Sequence, residues 1–255
     1  AASDVYKRQG YYMKKNPFGE GGDFITAPNI TRLFSEIIAV WTITFWKSIG
    51  SPKKFNLLEL GAGNGEMMKV IDQTLMNFPE CYNACNFIIY EKSNFLIKEE
   101  EKTDIEKIEK NLNFEISKNQ NIIEYSPDTF KYLRIICDLI KKNDGGMLII
   151  DYGYADSKMH ETLQAVNNHK YSNILENIGD SDITYNINFH SFEKFINQFK
   201  KINSIFTNQK KFLTSMGILQ RAEIISKNIA FSKKADLFYR VRRLIDEKQM
   251  GEMFK

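Results

Sequence analysis

The stretch Leu57-Leu58-Glu59-Leu60-Gly61-Ala62-Gly63-Asn64-Gly65 constrains the fold of this chain more than any other. An apolar run of strand length, Phe55 to Leu60, delivers the backbone to three glycines, and an amphipathic helical pattern follows to about Met76. Glycine enters φ > 0 at no steric cost. A G-x-G-x-G turn between strand and helix therefore lets backbone N–H groups at the helix start face a ligand. A second apolar run, Phe87 to Tyr90, closes on Glu91 one βα unit later. Strands alternating with helices define an α/β sheet, and ligands of such sheets gather at the carboxyl ends of the strands.

The rest of the chain fits one large domain with an annex. A helix is predicted from Thr31, with Leu33, Ile37, Val40 and Trp41 on one face and Ser51-Pro52 as its stop. Residues 10–30, rich in Gly, Pro and aromatics, read as an ordered loop. Within the charged run Lys98 to Lys110, Ile105, Ile108 and Leu112 share a helical face, and Glu106 and Lys110 have the supportive i, i+4 spacing. Phe114 to Ile116 and Ile122 to Tyr125 read as short strands. Pro127 opens a helix to Lys142, Asp144-Gly145-Gly146 breaks it, and Met147 to Ile150 reads as a strand ending at Asp151. Helices are predicted over 191–200 and 235–248.

A formal net charge of +3 is too small for the basic footprint of a nucleic-acid binder. No uncharged apolar run is long enough for stable membrane insertion. The first ten residues have neither the apolar run of a signal peptide nor the Arg-rich, acid-poor character of a transit peptide. Three dispersed cysteines fit a reducing compartment. Cys81 and Cys85 share a helical spacing without the further His or Cys of a zinc set, so no metal is expected; His160 and His190 stand alone.

Three acids sharpen the reading. Glu59 precedes the first glycine by two residues, and Glu66 stands where a dinucleotide fingerprint has its third Gly or Ala. A carboxylate at Glu59 repels a pyrophosphate but can receive the ammonium of the methionine moiety of S-adenosylmethionine (SAM). SAM is therefore the expected ligand; a nicotinamide or flavin dinucleotide and a purely structural turn are the alternatives. Glu91 can accept both ribose hydroxyls. Asp151 ends its predicted strand, where a reacting group belongs, unless it is only a helix cap.

Two longer stretches are more specific: Gly21-Gly22-Asp23-Phe24-Ile25-Thr26-Ala27-Pro28 with Leu33-Phe34-Ser35-Glu36, and Ile149-Ile150-Asp151-Tyr152-Gly153-Tyr154 with Thr162 to Val166 and His169. They resemble the MidA family of SAM-dependent methyltransferases, which includes a mitochondrial complex I assembly factor and bacterial relatives. The resemblance runs from about Gly10 to Lys255, through Phe212-Leu213, Met216-Gly217-Ile218 and the terminal Gln249-Met250-Gly251. It implies a Rossmann-like class I methyltransferase sheet with a lid and substrate region, SAM as cofactor and a protein arginine as acceptor, the mitochondrial member acting on a complex I core subunit. It implies that Asp23, Thr26, Ala27 and Pro28 fold over SAM beside Gly61, Ala62, Gly63, Asn64 and Gly65, with Glu59 and Glu91 as further cofactor contacts. Asp151 and His169 become the catalytic candidates. The organisation expected is a cofactor-covering loop and helix over 1–50, a SAM-binding core over 51–155 and a substrate and lid region over 156–255. The location would be the cytoplasm of a bacterium or the mitochondrial matrix of a eukaryote.

The chain departs from the family twice. Lys92 to Gly146 is too short for two βα crossovers at roughly 30 residues each, and the family's Asn-Glu-x-x-Asp-Ala-x-Pro stretch is missing from it. One or two central strands should therefore be absent, with the Asp151 strand moved over to pair with Leu57 to Leu60. Asn186 and Asn188 also stand where the family usually has His and Asp. These losses support an alternative, a SAM-binding assembly factor without efficient catalysis; a dinucleotide-dependent oxidoreductase is the other.

Overall fold

The computed structural model describes residues 26–62, 65–90, 105–118, 120–167, 170–173 and 181–255. A short helix α1 (Ala27–Ile30) leads into α2 (Arg32–Ser48). Thr31 caps α2 by accepting the Leu33 N–H, which satisfies one of the donors a helix start leaves unpaired. The predicted strand–turn–helix is present as β1 (Phe55–Leu60) and α3 (Glu66–Leu75). After α4 (Pro79–Ala84) the chain returns as β2 (Cys85–Tyr90), parallel to β1 with Phe55 opposite Cys85 and Leu60 opposite Tyr90. Both strands therefore end at one edge, the condition for a site above their carboxyl ends.

Beyond this βαβ unit come α5 (Ile105–Leu112) and α6 (Pro127–Asn143). Pro127 suits the first turn of α6 because the N–H it lacks would have no helical partner, and the Ser126 hydroxyl accepts from Thr129 N–H. The pairs β3 (Gly153–Tyr154) with β7 (Ile187–Asn188), parallel, and β4 (Gln164–Asn167) with β5 (Lys170–Ser172) and β6 (Asp182–Thr184), antiparallel, form the annex. Helices α7 (Phe189–Ile196), α8 (Gln209–Ser215), α9 (Ile218–Lys227), α10 (Phe231–Ile245) and α11 (Met250–Met253) complete the chain. The two late helices thus start two to four residues earlier than their spacing predicts and stop short by three or four.

Two apolar cores meet at one extended segment. The first joins α2, α3, α8, α9 and α10 through Leu33, Ile37, Ile71, Leu213, Ile218, Val241 and Leu244, and takes Phe55, Leu57 and Phe87 from the strands. The second joins α5, α6 and α7 through Leu112, Phe130, Leu133, Phe192 and Phe195. Residues 147–150 lie between them: Leu148 and Ile150 pack against the first core, Met147 and Ile149 against the second. That alternation is the period-2 signature of a strand buried on both faces.

Several expectations are corrected. Residues 147–150 carry no ladder and do not pair with β1. Residues 114–116 and 122–125 are also not strands. A ladder needs a partner edge at the right distance, whereas side-chain burial needs only a core on each side; the segment has the second without the first among the described residues. Alternate residues of β1, Leu58 and Leu60, remain half-exposed, with Ile88 beside Leu58 across the register. In a doubly wound sheet such residues are covered on both faces. The 114–125 stretch is held by side chains instead: Glu109 accepts from the N–H groups of Ile116 and Ser117, each at 2.8 Å, and Glu124 accepts from Thr162 and Leu163.

Candidate active site

The glycine turn is built as its sequence requires. Gly61 has φ +72° and Gly65 +73°, the left-handed region that an L side chain enters only with strain. Among the described residues a Cβ on Gly61 would meet nothing within 4 Å, so conformation and not crowding explains the glycine there. Gly65 N–H closes a turn on Ala62 O at 2.8 Å, and Gly65 O accepts the first bond of α3 from Lys69. Glu59 is half-buried on the face of β1 that also carries Phe55 and Leu57. Thr26 O accepts from Asn29 and Ile30, and the α1 helix it starts lies against α3. The short helix that holds Ala27 and Pro28 thus lies against the helix that follows the glycine turn. Asp23, Gly63, Asn64, Glu91 and His169 lie outside the described residues.

Asp151 occupies the carboxyl end of the two-sided segment. Its backbone exchanges hydrogen bonds with Lys255 (3.2 and 3.0 Å), and its Oδ1 accepts from Tyr152 N–H at 2.7 Å. Burial raises its carboxyl above the usual Asp range, opposed by that Tyr152 bond. Tyr152 is raised by burial and then by the charges of Asp151 and Asp182. Tyr185 is raised by burial, held back by hydrogen bonds to Ser126 and Thr129, and raised again by Asp151 and Glu124. A carboxyl group with two phenols therefore gathers at the end of this segment. Tyr185 and Glu124 are absent from the sequence-based candidates; no local signal marks them, because their neighbours come from distant parts of the chain.

The surrounding polar groups are committed to structure. Glu124 takes Thr162 N–H (2.8 Å), Leu163 N–H (3.0 Å) and the Thr162 hydroxyl (2.5 Å), and that hydroxyl accepts from Asn186 N–H at 2.9 Å. Asn188 caps α7 by accepting from Ser191 N–H and donates to Asp156 O. Gly153 is a close approach: a Cβ there would stand 2.3 Å from Ile187 O and 2.6 Å from the Phe189 ring. Gly153→Ala is expected to push β3 off β7 and lower the midpoint of thermal unfolding; an unchanged melt would show that β7 yields freely.

The Cys85 thiol is pushed up to about 12, first by burial and then by Cys81 and Asp72. A thiol so raised stays protonated at neutral pH and is a poor nucleophile. Among the described residues no three His, Cys, Asp or Glu side chains are placed to hold a metal ion.

A glycine turn between parallel strands, two aligned strand ends and a half-buried acid on a further extended segment define an α/β ligand-binding fold of the Rossmann type. Sequence comparison places the chain within it. The profile of a family of S-adenosyl-L-methionine-dependent methyltransferases matches residues 37–103 and 97–206, and the chain belongs to that family. A COG1565 superfamily member from Burkholderia thailandensis, bound to S-adenosyl-homocysteine, superposes over 99% of this chain and 84% of its own with a TM-score of 0.72 at 16% identity. Over 82 residues the chain is 38% identical to the mitochondrial protein arginine methyltransferase NDUFAF7 of Xenopus tropicalis; this covers 32% of the chain but only 19% of that relative. The Danio rerio NDUFAF7 is 23% identical over 333 positions, covering 96% of the chain and 78% of the relative. That alignment is longer than the 255-residue chain, so some of its positions have no counterpart here. The two profile segments meet at residues 97–103, inside the interval that the sequence marks as too short.

Proposed function

We propose that this chain transfers the methyl group of SAM to an arginine nitrogen of a protein, in the mitochondrial case a complex I core subunit. The observation that carries the reading is the Gly61–Gly65 turn, left-handed at both ends, between two aligned parallel strands and α3. Its glycines fit the adenosyl-methionine class of ligand: no side chain of the described residues stands over Gly61, and Glu59 is the nearby acid. Bound SAM supplies an electrophilic methyl carbon on a cationic sulfur. In this reading Glu59 holds the methionine ammonium, Glu91 the ribose hydroxyls, and Asp23, Thr26, Ala27 and Pro28 cover the cofactor. Asp151 orients the guanidinium so that one nitrogen lies in line with the methyl carbon, and accepts the proton this nitrogen sheds. Holding both reactants in place removes much of the entropic barrier. His169 stands on the acceptor side. Residues 1–50 cover the cofactor, 51–155 bind it, and 156–255 form the lid and acceptor region.

A second reading, SAM binding without efficient transfer, is favoured by one observation: the NDUFAF7 alignment holds positions that this chain lacks. A thermal-shift series with SAM, S-adenosyl-homocysteine and NAD tests the ligand, with stabilisation by the first two and none by NAD expected. Radiolabel transfer from SAM to a complex I subunit peptide then separates the two readings. Glu91→Ala is expected to weaken SAM by about 1–3 kcal/mol, the range for losing a charged hydrogen-bond partner. Unchanged calorimetric affinity would remove Glu91 from the site.

A further inference from the structure

The helical hairpin of α9 and α10 carries a local excess of basic charge. Residues 218–245, α9 and α10, carry seven Lys and Arg against two acids, an excess larger than the +3 of the whole chain, so the remainder is net negative. Arg221, Arg240 and Arg242 are paired with Glu36, Asp236 and Asp246. Lys227, Lys233, Lys234 and Arg243 have no ion pair among the described residues.

Helix α10 has two apolar faces. Val241 and Leu244 are buried in the first core, with Leu237 packed beside them. About 120° around the helix from that face, Phe231, Ala235, Phe238 and Arg242 follow the i, i+4, i+7, i+11 spacing of a single helical line. Phe231 is 88% exposed, Phe238 41%, and Tyr239 on the flank 62%. The first core accounts for one face and nothing in the fold of the described residues accounts for the other.

We propose that α10 lays this outer face on an anionic lipid bilayer. Phenylalanine and tyrosine rings can enter the headgroup boundary while lysine stems carry their charge to the phosphates, which is the residue set of an interfacial helix. The local positive excess supplies the complementary charge, and α10 at 15 residues offers about 22 Å of surface. The contact is peripheral, because no described helix is long and apolar enough to cross a membrane. The proposal is independent of methyl transfer.

Vesicle co-sedimentation of the full chain tests it, with phosphatidylcholine alone and with phosphatidylserine added. Binding is expected only to the anionic vesicles, weakening as salt rises. The variant F231S/K233S should bind roughly tenfold or more weakly, while its thermal melt stays unchanged because both side chains are exposed. Equal binding to neutral vesicles, no binding, or undiminished binding by the variant would overturn the proposal. So would a concentration-dependent dimer, by light scattering, that the same variant abolishes, since the occupant would then be a second copy.

Discussion

Asp151→Asn is expected to lower methyl transfer by roughly 100-fold or more, the lower end of what a positioned proton acceptor contributes, and at the same time to raise the thermal stability of the protein. Asparagine keeps the oxygen that accepts Tyr152 N–H, so the local geometry survives. What is lost is the charge that fixes a guanidinium and receives its proton. The stability gain follows from the sign of the shift. Burial raises the folded-state pKa of Asp151 above its unfolded value. Its ionised form therefore costs stability at pH above the folded value, and the cost fades as pH falls through the folded value and is gone below the unfolded one. The asparagine variant removes that cost at neutral pH. The checks are radiolabel transfer and a melt of both proteins at neutral and acid pH. A variant that is less active but not more stable would mean that burial is not what sets the Asp151 carboxyl apart.

The largest effect on folding is expected at Phe195. It is 1% exposed, meets the Phe130 ring edge-on at 5.3 Å, lies beside Phe199, and has the Arg134 guanidinium 4.9 Å over its face. Phe195→Ala removes a ring from the centre of the second core and should cost about 3–5 kcal/mol. Ile205→Ala is the control: that side chain is 92% exposed, and its loss should change stability by no more than about 0.5 kcal/mol. Denaturant titrations of both variants decide the matter. A small effect at Phe195 would mean that α6 and α7 collapse together over the gap.

The parts legible in the sequence are those fixed by short-range chemistry. Phe55 to Leu60, the glycines and α3 announce themselves because strand, turn and helix follow one another within the chain, and the left-handed angles at Gly61 and Gly65 are what those glycines serve. Residues 147–150 read as a strand from their apolar run, but neither their two-sided packing nor their missing ladder is legible there, since both belong to the neighbours and not to the segment. Closure onto β1 was the wrong expectation for the same reason: two cores already fix the position of Leu148 to Ile150. Glu124 and Tyr185 escaped notice because Glu124 finds Thr162 38 residues later and Tyr185 finds Ser126 and Thr129 earlier still. Asn188 looked like the loss of a titratable group, and the fold uses it as a helix cap.

The segment 147–150 also has a consequence for how the molecule opens. Alternate residues belong to different cores, so either core can loosen while the other still grips half of the segment. Amide hydrogen exchange should then resolve two cooperative units instead of one, reported by α2 and α10 on one side and by α6 and α7 on the other. A ligand that engages Asp151 touches the only described stretch whose side chains enter both. It should slow exchange in the two units together, making occupancy of the site visible far from it.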